Sequence, residues 1–108
     1  MRQFLFFVVF MLCNLALMIQ SCTPNPYACI STDVNEDSIR VNQPVTFSSF
    51  CSINGEEYFW EFFDNADSVE FSRTVTKTFY DTGSVKVFLL VTNRRKTSSV
   101  TKYYEVKP

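Results

Sequence analysis

The sequence contains no histidine. That removes the commonest general base and the commonest zinc ligand together. Its four cysteines, Cys13, Cys22, Cys29 and Cys51, show no CxxC spacing, so no thiolate metal site is expected. Only two glycines are present, and none forms a loop that could cradle a phosphate. Charge of either sign is also lacking in excess: ten Lys+Arg against eleven Asp+Glu leave a net charge of −1. Such a balance gives no basic field for nucleic acid. After Cys22 no helical period appears. These absences point away from an enzyme, a metal site, a cofactor and a nucleic-acid partner.

What is present begins with an apolar run. Met1-Arg2-Gln3 carries one positive charge, and Phe4 to Ile19 is apolar apart from Asn14. A charged start followed by an apolar core is the form of a secretory signal. The run is about sixteen residues, short for a membrane span of about twenty. It ends Ile19-Gln20-Ser21-Cys22, which resembles the bacterial lipobox. The resemblance implies cleavage before Cys22, diacylation of its thiol and acylation of the new amino terminus. Each buried CH₂ of such chains contributes about 0.8 kcal/mol to anchoring. Residues 1–21 are thus expected to be a lipoprotein signal peptide. Residues 22–27, with Pro24 and Pro26, should form a stiff lipidated tether, and residues 28–108 one domain. No aspartate follows Cys22; by analogy with lipoprotein sorting, the expected location is the outer membrane of a bacterial cell envelope.

Export makes the remaining cysteines informative. Cys29 and Cys51 are left as a pair in the body of the chain, and in an oxidising compartment a disulfide is expected between them.

The body alternates as short strands separated by turn signals, the pattern of an all-β antiparallel sandwich. Tyr27 to Ser31 reads as a first strand and Val45 to Ser49 as a second. Glu57 to Phe63 follows, with Tyr58, Trp60 and Phe62 on one face and Phe59, Glu61 and Phe63 on the other. Val69–Phe71 and Thr74–Thr76 are short. Ser84 to Asn93 sets Val85, Val87, Leu89 and Val91 inward, against Phe88 and Leu90 outward. Ser99 to Val106 is last. Between the first two strands, Asp33, Asn35 and Asp37 echo a calcium loop. Ser38 replaces its glycine and Pro44 stands where a bidentate glutamate belongs, so a solvated loop is expected.

Three segments carry a family resemblance. They are Tyr58-Phe59-Trp60-Glu61-Phe62-Phe63-Asp64-Asn65, Lys77-Thr78-Phe79-Tyr80-Asp81-Thr82-Gly83, and Val85 to Asn93. In this spacing the chain from about Cys29 to Val106 resembles a PKD domain, an immunoglobulin-like sandwich. Phe63 and Asn65 stand where the family has glycines, and Lys77 where it has histidine. The resemblance implies that Tyr58, Trp60, Phe62, Asp64 and Gly83 do structural work, Asp64 by bonding turn backbone and Gly83 through a positive φ. It also implies a non-catalytic spacer or binding module that contacts proteins or glycans.

Carboxylates at Glu56, Glu57, Glu61, Asp64, Asp67 and Glu70 cluster in sequence, but a glycosidase needs two of them across a cleft. A solvated acidic edge is the expectation. Arg94-Arg95-Lys96 could hold an anionic partner or face the negative membrane surface, but a soluble hairpin tip is the expectation, since the lipid already supplies the anchor. The leading candidate for contact is the outward face holding Phe59, Phe63, Phe88, Leu90 and Tyr103, since soluble monomers seldom display so much apolar surface together. The partner expected there is an envelope or extracellular protein, with glycan capture as the second reading.

Overall fold

The structure is a computed structural model that describes residues 24–64 and 67–108. The apolar run, Cys13, Cys22 and Asn65 lie outside the described residues, and with them the signal and lipidation expectations. Seven strands are formed among the described residues: β1 (Ser31–Thr32), β2 (Pro44–Ser48), β3 (Glu57–Phe63), β4 (Ser68–Glu70), β5 (Thr74–Thr78), β6 (Gly83–Asn93) and β7 (Lys96–Val106). They make two antiparallel sheets, one ordered β1-β2-β5 and the other β4-β3-β6-β7. The protein is therefore an all-β antiparallel sandwich.

Strict alternation builds this arrangement. Along β3 and β6 every second side chain is buried, because successive side chains leave opposite faces of a pleated strand. Trp60, Phe62, Val87, Leu89 and Val91 are fully buried from one sheet, Val45 and Phe47 from the other. Phe47 sits at the centre. Its ring makes edge contacts with Phe62 at 5.1 Å, Tyr104 at 5.5 Å, Phe79 at 6.2 Å and Trp60 at 6.4 Å. Such edge-to-face pairs contribute about 0.5–1.5 kcal/mol each beyond area burial.

Two local differences from the sequence reading have a hydrogen-bonding cause. The segment 27–31 does not form the first strand; β1 covers only Ser31–Thr32, preceded by an isolated bridge between Tyr27 and Ile53. Between them, the Ala28 and Cys29 amides donate to Ser98 Oγ at 3.0 Å and Ser52 Oγ at 2.9 Å. Side-chain acceptors thus replace the ladder that a strand would need. At the other site, β4 stops at Glu70 rather than Phe71, because the chain bends so that the Ser72 carbonyl accepts from the Trp60 indole N–H at 2.8 Å.

The Cys29–Cys51 disulfide is present, with Cα atoms 5.4 Å apart. It ties the incoming chain to the loop between β2 and β3. The Asp33–Ser38 stretch is a polar loop ending in a 3-10 turn, Glu36–Ser38. Its acceptors are spent on backbone: Asp33 Oδ1 receives the Thr46 amide at 2.9 Å, and Asn35 Oδ1 the Asp37 amide at 3.0 Å. Among the described residues no group of side chains is arranged to hold a metal ion. Gly83 has a φ of 133°, with open space where a Cβ would stand, so its conformation, not crowding, selects glycine.

Candidate functional site

The register of the four-stranded sheet assembles the outward face. Phe59 is paired with Leu90, Glu61 with Phe88, and Phe63 with Lys86. On the next strand Leu90 meets Ser99, Phe88 meets Thr101, and Lys86 meets Tyr103. All five residues expected on this face lie there together. Phe59, Phe63, Phe88 and Leu90 are half-buried, and Tyr103 is 69% exposed.

The structure adds residues that the sequence reading missed. Phe71 is 73% exposed, and its ring closes edge-on against Phe59 at 5.5 Å. Val69, exposed on β4, stands beside Glu61. An apolar row therefore runs Phe71–Phe59–Leu90 across three segments, with Phe88 on the adjacent diagonal of the sheet. The only signal available in sequence was Phe71 itself, and its place depended on the β3–β4 register, which no periodicity sets.

Charged groups interleave with this row. Glu61 lies between Val69 and Phe88. Lys86 covers Phe63, its ammonium 4.7 Å from the ring centroid. That contact is a cation–π interaction worth about 0.5–1 kcal/mol at an exposed site. The face is thus an apolar band interrupted by Glu61 and Lys86, with Glu57 and Glu105 on the same face at its ends.

At its upper end, where β3 begins and β6 finishes, the band runs into an open cleft of about 390 Å³ lined by Glu56, Glu57, Tyr58, Phe71, Ser72 and Arg73. The Arg73 guanidinium stacks 4.4 Å over Phe50 and 5.4 Å over Tyr58. The Tyr58 hydroxyl donates to the Gly55 carbonyl at 3.3 Å. The cleft therefore offers two carboxylates, a guanidinium and two aromatic rings, Tyr58 and Phe71.

The lower end carries the remaining motif residues. Asp64 and Gly83 line a cavity of about 110 Å³ with residues 78–82. Asp64 forms an ion pair with Lys77 at 3.8 Å. Lys77 also donates to Ser68 Oγ at 2.8 Å and lies 5.4 Å from the Phe62 ring. It thereby joins β5 of one sheet to β3 and β4 of the other. Of the clustered carboxylates Glu56, Glu57, Asp67 and Glu70 are exposed, but Glu61 is half-buried on an inner strand and Asp64 half-buried in its ion pair with Lys77, so they form no single solvated edge.

No protein-family model matches the chain, and no curated protein matches it. Among solved structures, it is similar to a chain described as "Structural basis for the promiscuous specificity of the carbohydrate-binding modules from the beta-sandwich super family". The identity is 27% and the TM-score 0.66, over 79% of this chain. The matched residues span 35% of the length of that structure's chain.

Proposed function

We propose that this protein is a non-catalytic binding module of PKD type, displayed at a bacterial cell envelope by acyl chains on Cys22. The outward face of the β4-β3-β6-β7 sheet is its contact surface, and its partner is another envelope or extracellular protein. The Phe71–Phe59–Leu90 row with Phe88 carries this reading. Rings locked in register on a flat sheet give preorganised apolar area at little entropic cost, which is what a protein interface uses for anchors. Glu61 lies within the patch, and Lys86, Glu57 and Glu105 around it supply a polar rim. The PKD assignment is supported by the buried Tyr58, Trp60 and Phe62 and by the positive φ of Gly83. The lipid anchor is supported by Ile19-Gln20-Ser21-Cys22. The test is photocrosslinking from position 88 in intact membranes, which should give a discrete protein adduct that Phe59→Ser removes.

A second reading, glycan capture, is favoured by the cleft beside Phe71, where Glu56, Glu57 and Arg73 stand around an exposed ring. An aromatic platform with hydrogen-bonding groups at its edge fits a sugar. The likeness to a structure described by its carbohydrate-binding modules supports the same reading. Soluble oligosaccharides that raise the melting temperature of the wild type but not of Phe71→Ala would select it over the protein partner.

A further inference from the structure

The incoming chain, the hairpin tip and the loop before β3 meet at one end of the sandwich. Tyr27 and Ile53 exchange two backbone hydrogen bonds, at 2.9 and 3.0 Å. Next to them, Asn54 Nδ2 donates to the Asn25 carbonyl at 3.3 Å, and Asn93 Nδ2 donates to the Asn54 carbonyl at 2.8 Å. Asn54 therefore clips the start of the domain to the base of the β6–β7 hairpin. That hairpin turns through Arg94 and Arg95, both exposed, with Lys96 beginning β7.

The same end collects apolar side chains that the core does not use. Tyr27 is 61% exposed, Ile53 57% and Phe50 61%, the last under the Arg73 guanidinium. Glu56 and Glu57 belong to this end too, but Glu57 is level with Thr92, two residues short of Arg94. Glu57 thus stands about 7 Å behind Arg94, and Glu56, level with Asn93, about 3.4 Å behind it, at 3.4 Å per residue. The opposite end carries both signs: Asp67 and Asp81 lie there, and so do Arg40 and Lys107, bridged just beyond the Gly83–Val106 pair. The tip where the chain enters is thus apolar, with Arg94 and Arg95 at its extreme, whereas the far end carries both signs.

Cys22 precedes Pro24 by two residues, so its Cα lies within about 7 Å of the Pro24 Cα. From this geometry we infer that the entry end docks on an anionic lipid surface. Arg94 and Arg95 engage the headgroups while Tyr27 and Ile53 settle at the interface. Basic residues beside a lipid anchor add to it. The sandwich would then stand upright, with the aromatic face turned along the membrane rather than into it. This inference rests on the anchored reading above.

The experiment uses the full mature protein extracted from membranes. It is reconstituted into vesicles of phosphatidylcholine alone or of phosphatidylcholine mixed with phosphatidylglycerol. Amide hydrogen exchange is followed at residues 49–56 and 93–96. Exchange there should slow several-fold in the anionic vesicles and return to the neutral value at raised salt, which screens exposed charges. R94Q/R95Q should abolish the difference, and Tyr27→Ser should reduce it. Residues 79–82 at the far end should exchange equally in both vesicles. Equal exchange at the tip in both vesicles, or slowing that survives R94Q/R95Q, would overturn the inference. An unacylated Cys22 in the mass spectrum would instead sink the lipid anchor alone. The vesicle comparison would still be readable, because any anchor preceding Pro24 enters at the same end.

Discussion

The Trp60 indole N–H donates to the Ser72 carbonyl at 2.8 Å, and that bond places the neighbouring Phe71 on the outward face against Phe59. The core thus holds the outward aromatic face: a fully buried ring on β3 fixes the bend that ends β4 and turns Phe71 outward. Trp60→Phe should cost about 2–4 kcal/mol, from the lost hydrogen bond, the carbonyl left without it and the cavity. Urea unfolding measures the loss. A Phe71-dependent binding signal should weaken in the same variant under conditions where the domain remains folded.

Two adjacent residues of β6 separate face from core. Leu89 is fully buried opposite Trp60, while Phe88 is half-buried opposite Glu61. Leu89→Ala should cost about 2–5 kcal/mol. Phe88→Ser should cost under about 1 kcal/mol, within the range of strand preferences at exposed positions. Thermal unfolding of the two variants checks the assignment, and a reversed order would invert the faces.

The Cys29–Cys51 bridge closes a separation of 22 residues. In the chain-entropy model this contributes about 3 kcal/mol. Alkylation of the unreduced protein should label neither Cys29 nor Cys51. Reduction should lower the urea midpoint by the corresponding amount.

Tyr104 gives the domain an alkaline limit. Burial raises its phenol well above the ordinary value, with the charge of Glu36 adding to the effect. Its hydroxyl is buried and has no hydrogen-bond partner among the described residues. The raised folded-state value means that stability is fully present below about pH 10, the ordinary tyrosine value, and falls as pH rises through the folded value. Tyr104→Phe should remove that alkaline slope. It should leave neutral-pH stability unchanged or slightly higher, since no bond is lost. Melting temperatures from pH 7 to 11 read the difference.

The parts of the fold visible in sequence are those set by period two. Val85 to Val91 and Tyr58 to Phe62 could each be assigned a face because one set of alternating positions is apolar enough to demand burial. That decided Phe59, Phe63, Phe88 and Leu90, and the alternation of Val100, Tyr104 and Val106 on the last strand decided Tyr103. Residues 27–31 were misread because their apolar character satisfies a strand pattern, while their amides go to Ser98 and Ser52. Side-chain hydrogen bonds across such separations leave no periodic trace. Phe71 and Arg73 were missed for a related reason. Their place depends on the Trp60–Ser72 bond and on β4 register, both products of tertiary packing. The meeting of Asn25, Asn54 and Asn93 is likewise invisible, because no local rule connects three asparagines so far apart in the chain.

The most direct measurement of the central claim is co-purification from solubilised membranes with wild-type protein and with Phe59→Ser/Phe88→Ser, at matched abundance. The account predicts that a discrete protein partner is retained by the wild type. The double variant should weaken that binding by at least about 1 kcal/mol, as for a buried aromatic anchor, with its cooperative melt preserved. Undiminished retention by a folded double variant would contradict the assignment of the outward aromatic face as the binding surface.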